Sequence, residues 1–307
     1  MNVSNHNNLK FLSNTPDILN IIADVFHTDT SEIKNIAIIK KGMTNQSLTF
    51  DYRDAKYIMR IPGAGTDKLI NRRNEASVYN LLKETSICDD IVYINPKNGY
   101  KITRFWDNAR TCDSSNLEDV QRCMRFLKQF HQQNFKVEHT FDLFEQIEFY
   151  ESLWNKHSSR YDDYEETKDN ILSLKSYLQN YSSEKCLAHI DAVPDNFLFV
   201  KHMDSTETIH LIDWEYSAMQ DPHVDIAMFC VYALYDRQQI DRTIQFYLAE
   251  EYTTDIRSKI YCYIAICGLL WSNWCEYKQQ LGIGFGKYAE KQYYYAKEYY
   301  RIIYNEL

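Results

Sequence analysis

The segment His189-Ile190-Asp191-Ala192-Val193-Pro194-Asp195-Asn196, followed by Leu211-Ile212-Asp213, decides how this chain is read. The first stretch sets a His, an Asp and an Asn in the spacing H-x-D-x-x-x-x-N. Apolar, strand-like runs flank it, CLAHID (186–191) on one side and NFLFV (196–200) on the other. Asp213 stands seventeen residues after Asn196, at the end of a further strand-like run, TIHLID (208–213). Phosphoryl transfer to an alcohol needs these residue types. A carboxylate accepts the hydroxyl proton as the oxygen attacks, and Asp191 is the candidate base. Magnesium takes hard oxygen ligands, and Asn196 and Asp213 supply them. The five-residue gap lets one loop carry both the base and a metal ligand. Each residue alone also has a structural reading: Asp191 as a turn residue, Asn196 as a loop cap, His189 as a satisfied core histidine. The ordered set is what points to chemistry. His189 is read as orienting the loop and not as transferring protons.

The texture of the chain changes on moving outward from this island. Thr15-Pro16-Asp17 is a helix start, and Ile18, Ile21, Ile22 and Val25 share a face, which predicts a leading helix over 15–27. NIAIIKK (35–41), QSLTFDY (46–52) and KYIMRI (56–61) predict three strands. A helix over roughly 67–84 follows, then strands DIVYIN (90–95) and GYKITRF (99–105) around the turn Pro96-Lys97-Asn98-Gly99. Beyond Asp107 the pattern is helical: 120–132 capped by Ser114 or Ser115, then 141–158, 167–180, 223–236, 238–250, 253–280 and 285–305. The expected class is α+β in two lobes, a small β-rich lobe (1–106) and a larger helical one (107–307) holding the acidic island. That is the outline of a protein-kinase-like fold, and an outline by itself gives no function.

Composition narrows the partners. The chain has 307 residues, 45% apolar and 25% charged, enough for a core without disulfides. A net charge of -9 argues against a nucleic-acid or anionic-membrane binder, because both need a positive field. No apolar run approaches the ~20 residues that span a bilayer, and no secretory signal opens the chain. The eight Cys include no C-x-x-C pair and are read as reduced thiols of a cytoplasmic protein. The 25 Tyr and 15% aromatic content admit two readings, a tyrosine-rich core or a site for a cation.

With these residues in place, the chain resembles the choline/ethanolamine kinases of the aminoglycoside-phosphotransferase and protein-kinase-like superfamily, and among them the bacterial Lic-type choline kinases. GMTNQS (42–47), MRIPGAGTDKLINRRNE (59–75), HIDAVPDN (189–196), LIDWEYSAMQDPHVDIA (211–227) and LLWSNW (269–274) carry the likeness. The resemblance implies an ATP- and Mg²⁺-dependent kinase with choline as its small-molecule substrate. It gives Arg60 the task of holding nucleotide phosphates and Glu75 that of fixing the guanidinium, a bidentate pairing that suits both groups. It brings Thr44, Asn45 and Gln46 towards the phosphates and the backbone of Phe105 towards the adenine. Arg72 and Arg73 lie nearby, as phosphate-facing or as solvated helix charges.

The resemblance also locates the acceptor. A trimethylammonium head donates no hydrogen bond, so aromatic faces and carboxylates must recognise it. Trp271 and Trp274, three apart on a helix, share a face and match the family's aromatic pair; the same spacing also suits plain core packing. Glu215, Tyr216 and Tyr288 complete the implied pocket, with Phe285 as a companion. Tyr232 stands where eukaryotic relatives carry Glu, so the cation would lean on the aromatic residues, Glu215 and Asp221. Asp225 is expected to accept bonds from the catalytic-loop backbone. Other acceptors stay open: ethanolamine, whose primary ammonium favours carboxylates, or an aminoglycoside, which needs a wide acidic cleft. A non-catalytic choline- or nucleotide-binding protein is the reading outside enzymes.

Overall fold

Leu48, Phe50 and Tyr52 alternate along one strand, and this period of two decides which face of the first sheet is buried. The computed structural model describes residues 15–39, 45–63, 65–154, 158–181 and 184–306. The chain divides into two compact units, Met1–Ala76 with Asp89–Asp107, and Ser77–Cys88 with Asn108–Leu307.

In the first unit, helix α1 (Thr15–Phe26) precedes β1 (Lys34–Ile39), β2 (Gln46–Tyr52) and β3 (Ala55–Ile61). A short turn of helix, α2 (Thr66–Leu69), leads to α3 (Arg72–Leu82), which runs on into the second unit; β4 (Ile91–Ile94) and β5 (Lys101–Arg104) complete the sheet. All neighbours are antiparallel, in the order β1-β2-β3-β5-β4. Ile18 and Ile22 of α1 join Leu48, Phe50, Met59 and Ile102 in one core cluster. The single helix expected over 67–84 is interrupted. Ile70 is extended, and Asn71 starts a new helix: its Oδ1 accepts from the N–H groups of Arg73 (3.1 Å) and Asn74 (3.3 Å). An Asn side chain competes with the helical ladder for such donors, so it ends one helix and caps the next.

The second unit adds β6 (Ala109–Thr111), a strand the sequence reading missed, and then α4 (Leu117–Gln132), α5 (Leu143–Ser152) and α6 (Tyr164–Leu178). Asn116, not Ser114 or Ser115, caps α4, accepting from Glu118 N at 2.9 Å. Strands β7 (Cys186–Ala188), β8 (Phe197–Lys201), β9 (Glu207–Leu211) and β10 (Ala218–Gln220) form two small sheets, β6-β8-β9 and β10-β7. Helices α7 (His223–Tyr232), α8 (Arg237–Leu248), α9 (Thr254–Gln280) and α10 (Lys287–Glu306) finish the chain. α9 and α10 approach closely at Gly268, where a Cβ would lie 2.7 Å from Gln292 O and 2.8 Å from Ala296 N. Tyr293, Tyr295 and Tyr299 pack inside on α10 while Tyr294 and Tyr304 stay exposed, so most of the C-terminal tyrosines serve packing. No helix among the described residues is long and apolar enough to cross a membrane. All eight Cys are buried and unbridged.

Candidate active site

The register of the β8–β9 hairpin assembles the acidic residues. Phe197 pairs with Leu211, and the next rung carries Ile212 N to Asn196 O at 3.0 Å. Asp213 therefore emerges beside Asn196. Pro194 opens the 3-10 turn Pro194–Asn196, its ring presetting the backbone for that turn. The turn swings Asn196 back towards the base candidate: its Nδ2 donates to Asp191 O (2.9 Å) and to Asp191 Oδ2 (3.2 Å). Both bonds use Nδ2, so Oδ1 is the Asn196 atom that could ligate a cation. A carboxylate oxygen of Asp213 and one of Glu215 lie within 4.8 Å of each other. Two carboxylates and an amide oxygen make a hard-oxygen set that fits Mg²⁺.

Two backbone outliers bracket this cluster. Ile190 holds φ 68° and Asp213 φ 68°, both in the left-handed region. For a β-branched residue that conformation costs about 1–3 kcal/mol, so the surroundings must enforce it. Asp225 does so. Its fully buried carboxylate accepts from His189 N (2.9 Å) and Ile190 N (2.7 Å), as the sequence reading expected. His131 of α4 reaches the same carboxylate through Nε2 at 2.9 Å and meets the Tyr247 hydroxyl of α8 through Nδ1 at 2.8 Å. The ring of His189 is buried and bonds Ile212 O at 2.9 Å, tying the Asp191 loop to the strand that delivers Asp213. That is the orienting part assigned to it from sequence. Burial lowers its pKa, with Asp225 opposing. Burial first, then the charges of Asp213 and Glu215, pushes the Asp191 carboxyl well above the ordinary value. A base surrounded by acids in this way gains proton affinity.

An aromatic row adjoins these residues. Tyr216 meets Trp271 (6.0 Å between ring centroids), Trp271 meets Trp274 (5.3 Å), Trp274 meets Phe285 (5.1 Å), and Phe285 meets Tyr288 (6.3 Å). Tyr288 then meets Tyr232 at 5.9 Å. The structure thus brings together Tyr216, Trp271, Trp274 and Tyr288. Trp274 is only 1% exposed and Trp271 8%, whereas Phe285, Tyr288 and Tyr232 are half-buried and form the accessible end. Burial, then the Cys275 thiol and the Asp191 carboxylate, raises the Tyr288 hydroxyl well above its ordinary pKa.

Two residues read differently from the structure. Asp221, expected to face the substrate cation, is committed elsewhere. Lys259 Nζ lies 2.5 Å from its Oδ2, the Tyr263 hydroxyl donates at 2.9 Å, the His223 backbone N–H donates to its Oδ1 at 3.0 Å, and the His223 ring Nδ1 lies 3.0 Å from that oxygen. Burial opposes ionisation there, but His223 and Lys259 outweigh it and hold the carboxyl well below the usual range. Tyr150 was missed. It falls at a core position in the pattern Leu143, Ile147, Tyr150 of α5, and nothing else in the sequence marks it. Its hydroxyl is buried beside Tyr216; burial raises its pKa, Tyr216 opposes this, and the charges of Asp191 and Glu215 add to it.

The basic group of the first unit is equally ordered. Arg60 on β3 donates to both oxygens of Glu75, at 2.5 and 2.9 Å, and to Gly99 O at 3.0 Å. Arg72, left open as a solvated charge, is buried and donates to Glu75 Oε2 at 2.9 Å. Burial alone would raise the Glu75 carboxyl; Arg60, then Lys101 and Arg72, hold it below its ordinary value. Gln46 opens β2, Asn45 precedes it, and Thr44 lies outside the described residues. Phe105 commits its N–H to Lys56 O at 2.9 Å, so only its carbonyl could serve as a backbone group for a base. Gly99 sits at φ 73°, and a Cβ there would lie 2.5 Å from Arg72 Nε and 2.9 Å from Pro62. Gly99→Ala is therefore expected to cost about 1–3 kcal/mol by strain alone and to displace the carbonyl that Arg60 uses. Thermal unfolding checks this; an unchanged melting temperature contradicts it.

Comparison with known proteins places the chain in a family. Residues 36–296 match the choline/ethanolamine kinase family model. The protein LicA of Haemophilus influenzae strain Rd is 27% identical over 263 residues, 81% of this chain and 96% of that protein. The crystal structure of choline kinase LicA from Streptococcus pneumoniae superposes with a TM-score of 0.80 at 27% identity, covering 94% of this chain and 99% of that one. LicA in complex with AMP superposes at 0.79, with the same identity, over 94% of this chain and 98% of that one. The aminoglycoside phosphotransferase APH(4)-Ia, at 13% identity and a TM-score of 0.63 over 92% and 98% of the two chains, shares the kinase-like fold. The chain belongs to the choline/ethanolamine kinase family.

Proposed function

We propose that this kinase transfers the terminal phosphate of ATP to the hydroxyl of choline, giving phosphocholine. The observation that carries the reading is the convergence of Asp191, Asn196 and Asp213 beside an aromatic row whose accessible end is Phe285, Tyr288 and Tyr232. Asp191 accepts the hydroxyl proton, and its raised pKa gives it the affinity to do so. Asn196 and Asp213 hold Mg²⁺, which when bound offsets charge on the transferring phosphate. Glu215, whose oxygen lies near that of Asp213, adds negative charge beside the acceptor. The rings of Tyr216, Trp271, Trp274 and Tyr288 favour a cation that needs no hydrogen bond.

Residues 1–106 serve as the nucleotide-binding lobe in this proposal, with Arg60 held ready by Glu75 and with Asn45, Gln46, Thr44 and the Phe105 carbonyl near the nucleotide. Residues 107–307 bind the acceptor. The partners are small molecules, with no nucleic acid and no membrane insertion, and the setting is the cytoplasm. The related acceptors are separated by competition. With ATP and Mg²⁺ present, choline is expected to give the highest kcat/KM, ethanolamine a lower one and kanamycin none. Preference for ethanolamine or kanamycin contradicts the assignment. A thermal shift with ATP but no transfer to any acceptor would instead support a binding protein.

A further inference from the structure

Helix α7 holds the catalytic loop at two points. Near its start, Asp225 accepts from His189 N and Ile190 N, where the loop begins. Seven residues on, two turns along the same face, the Tyr232 hydroxyl donates to Asp195 Oδ2 at 2.7 Å. Asp195 is the middle residue of the 3-10 turn that ends in Asn196. Residues Val224 to Val231 of α7 are buried throughout, so the helix is a rigid platform for both grips. The inner side of the turn is tied by Asn196 N to Val193 O (2.9 Å) and by Ile212 N to Asn196 O (3.0 Å). Tyr232 ties its outer side, and the ring of Tyr232 also contacts Tyr288 in the aromatic row.

We propose that Tyr232 is a positioning residue for the cation-binding turn, acting through Asp195 to fix where Asn196 presents its Oδ1. The inference rests on the reading of Asn196 as a cation ligand. A phenol bonded to a carboxylate is charge-assisted and directional. Partners that orient a ligand from outside commonly govern metal affinity. Loss of the Tyr232 bond frees the outer side of the turn while the inner bonds and the fold remain. Tyr232 thus acts on cation binding through the turn, whereas its ring acts on the acceptor.

The test uses the full chain with ADP and Mn²⁺ as the probe cation, free Mn²⁺ being read by electron paramagnetic resonance. Tyr232→Phe keeps the ring and removes the hydroxyl; Asp195→Ala removes the acceptor. Each is expected to weaken Mn²⁺ binding by about tenfold, the low end for outer partners of a ligand. The double variant is expected to weaken it no further, because both changes break one bond. The melting temperature of Tyr232→Phe is expected to match the wild type. Unchanged Mn²⁺ affinity in Tyr232→Phe, or losses that multiply in the double variant, overturn the proposal. A wild type that binds no Mn²⁺ with ADP removes the cation site itself, and this proposal with it.

Discussion

Asp191→Asn is expected to lower turnover by about 10²–10⁴-fold, the range that a positioned general base contributes. The substitution keeps the side-chain oxygen that accepts from Asn196 Nδ2, so the loop geometry is preserved. Stability is expected to move the other way. Burial, then Asp213 and Glu215, raises the Asp191 pKa, and the Asn196 bond only partly offsets this. The native state therefore retains a proton that the unfolded chain has already released. Stability falls as pH rises from the ordinary carboxylate range towards the raised value. Asn cannot ionise, so above that window and in the presence of EDTA the variant is expected to melt higher than the wild type. At acid pH, where Asp191 is protonated in both states, the difference should close. Loss of activity with gain of stability is the mark of a group kept for chemistry. Wild-type turnover in the variant, or a lower melting temperature at neutral pH, contradicts the assignment.

Asp225→Asn is expected to produce the largest loss of stability. Three donors converge on two oxygens: His189 N and His131 Nε2 on Oδ2, and Ile190 N on Oδ1. An amide puts its own N–H₂ against one side of that set. At least one buried donor then lacks an acceptor, at about 1–3 kcal/mol, and a buried charged centre is lost, for which about 3–5 kcal/mol in total is typical. At ~2–4 °C per kcal/mol for a chain of this class, the melting temperature should drop by roughly 10 °C. Ile190 is also released from φ 68°, so Asp191 loses its fixed direction and activity falls with stability. Denaturant unfolding of both proteins checks this. A difference below about 1 kcal/mol contradicts the view that Asp225 enforces the loop.

Legibility from sequence followed the range of the interactions. β2 was expected over 46–52 and forms there, and the strand-like runs at 196–200 and 208–213 form β8 and β9. Those patterns are periodic and local, so residue order carries them. The interruption at Asn71 was not legible, because an Asn inside a helical pattern reads equally as surface or cap, and here its side chain ends one helix and starts another. Strand β6 is three residues long and exists only through its pairing with β8. Asp221 looked available from its place after the acidic segment. Its partner Lys259 comes from α9, thirty-eight residues later, and no local pattern announces that pairing. Tyr150 was hidden for the opposite reason: its helical spacing declared it core, and it is core, with its hydroxyl beside Tyr216. Arg72 was left open between a phosphate-facing and a solvated charge, because Glu75 and the turn at Gly99 that enclose it are not marked by local order.

The central claim is that Asp191 and the aromatic row act together on a quaternary-ammonium alcohol. Phosphorus NMR of the wild-type protein with ATP, Mg²⁺ and choline tests it most directly. A phosphomonoester resonance, assigned to phosphocholine, should grow in step with ADP, and at least about 10²-fold more slowly with Asp191→Asn. Release of inorganic phosphate alone, or ADP formation that does not depend on choline, would contradict it.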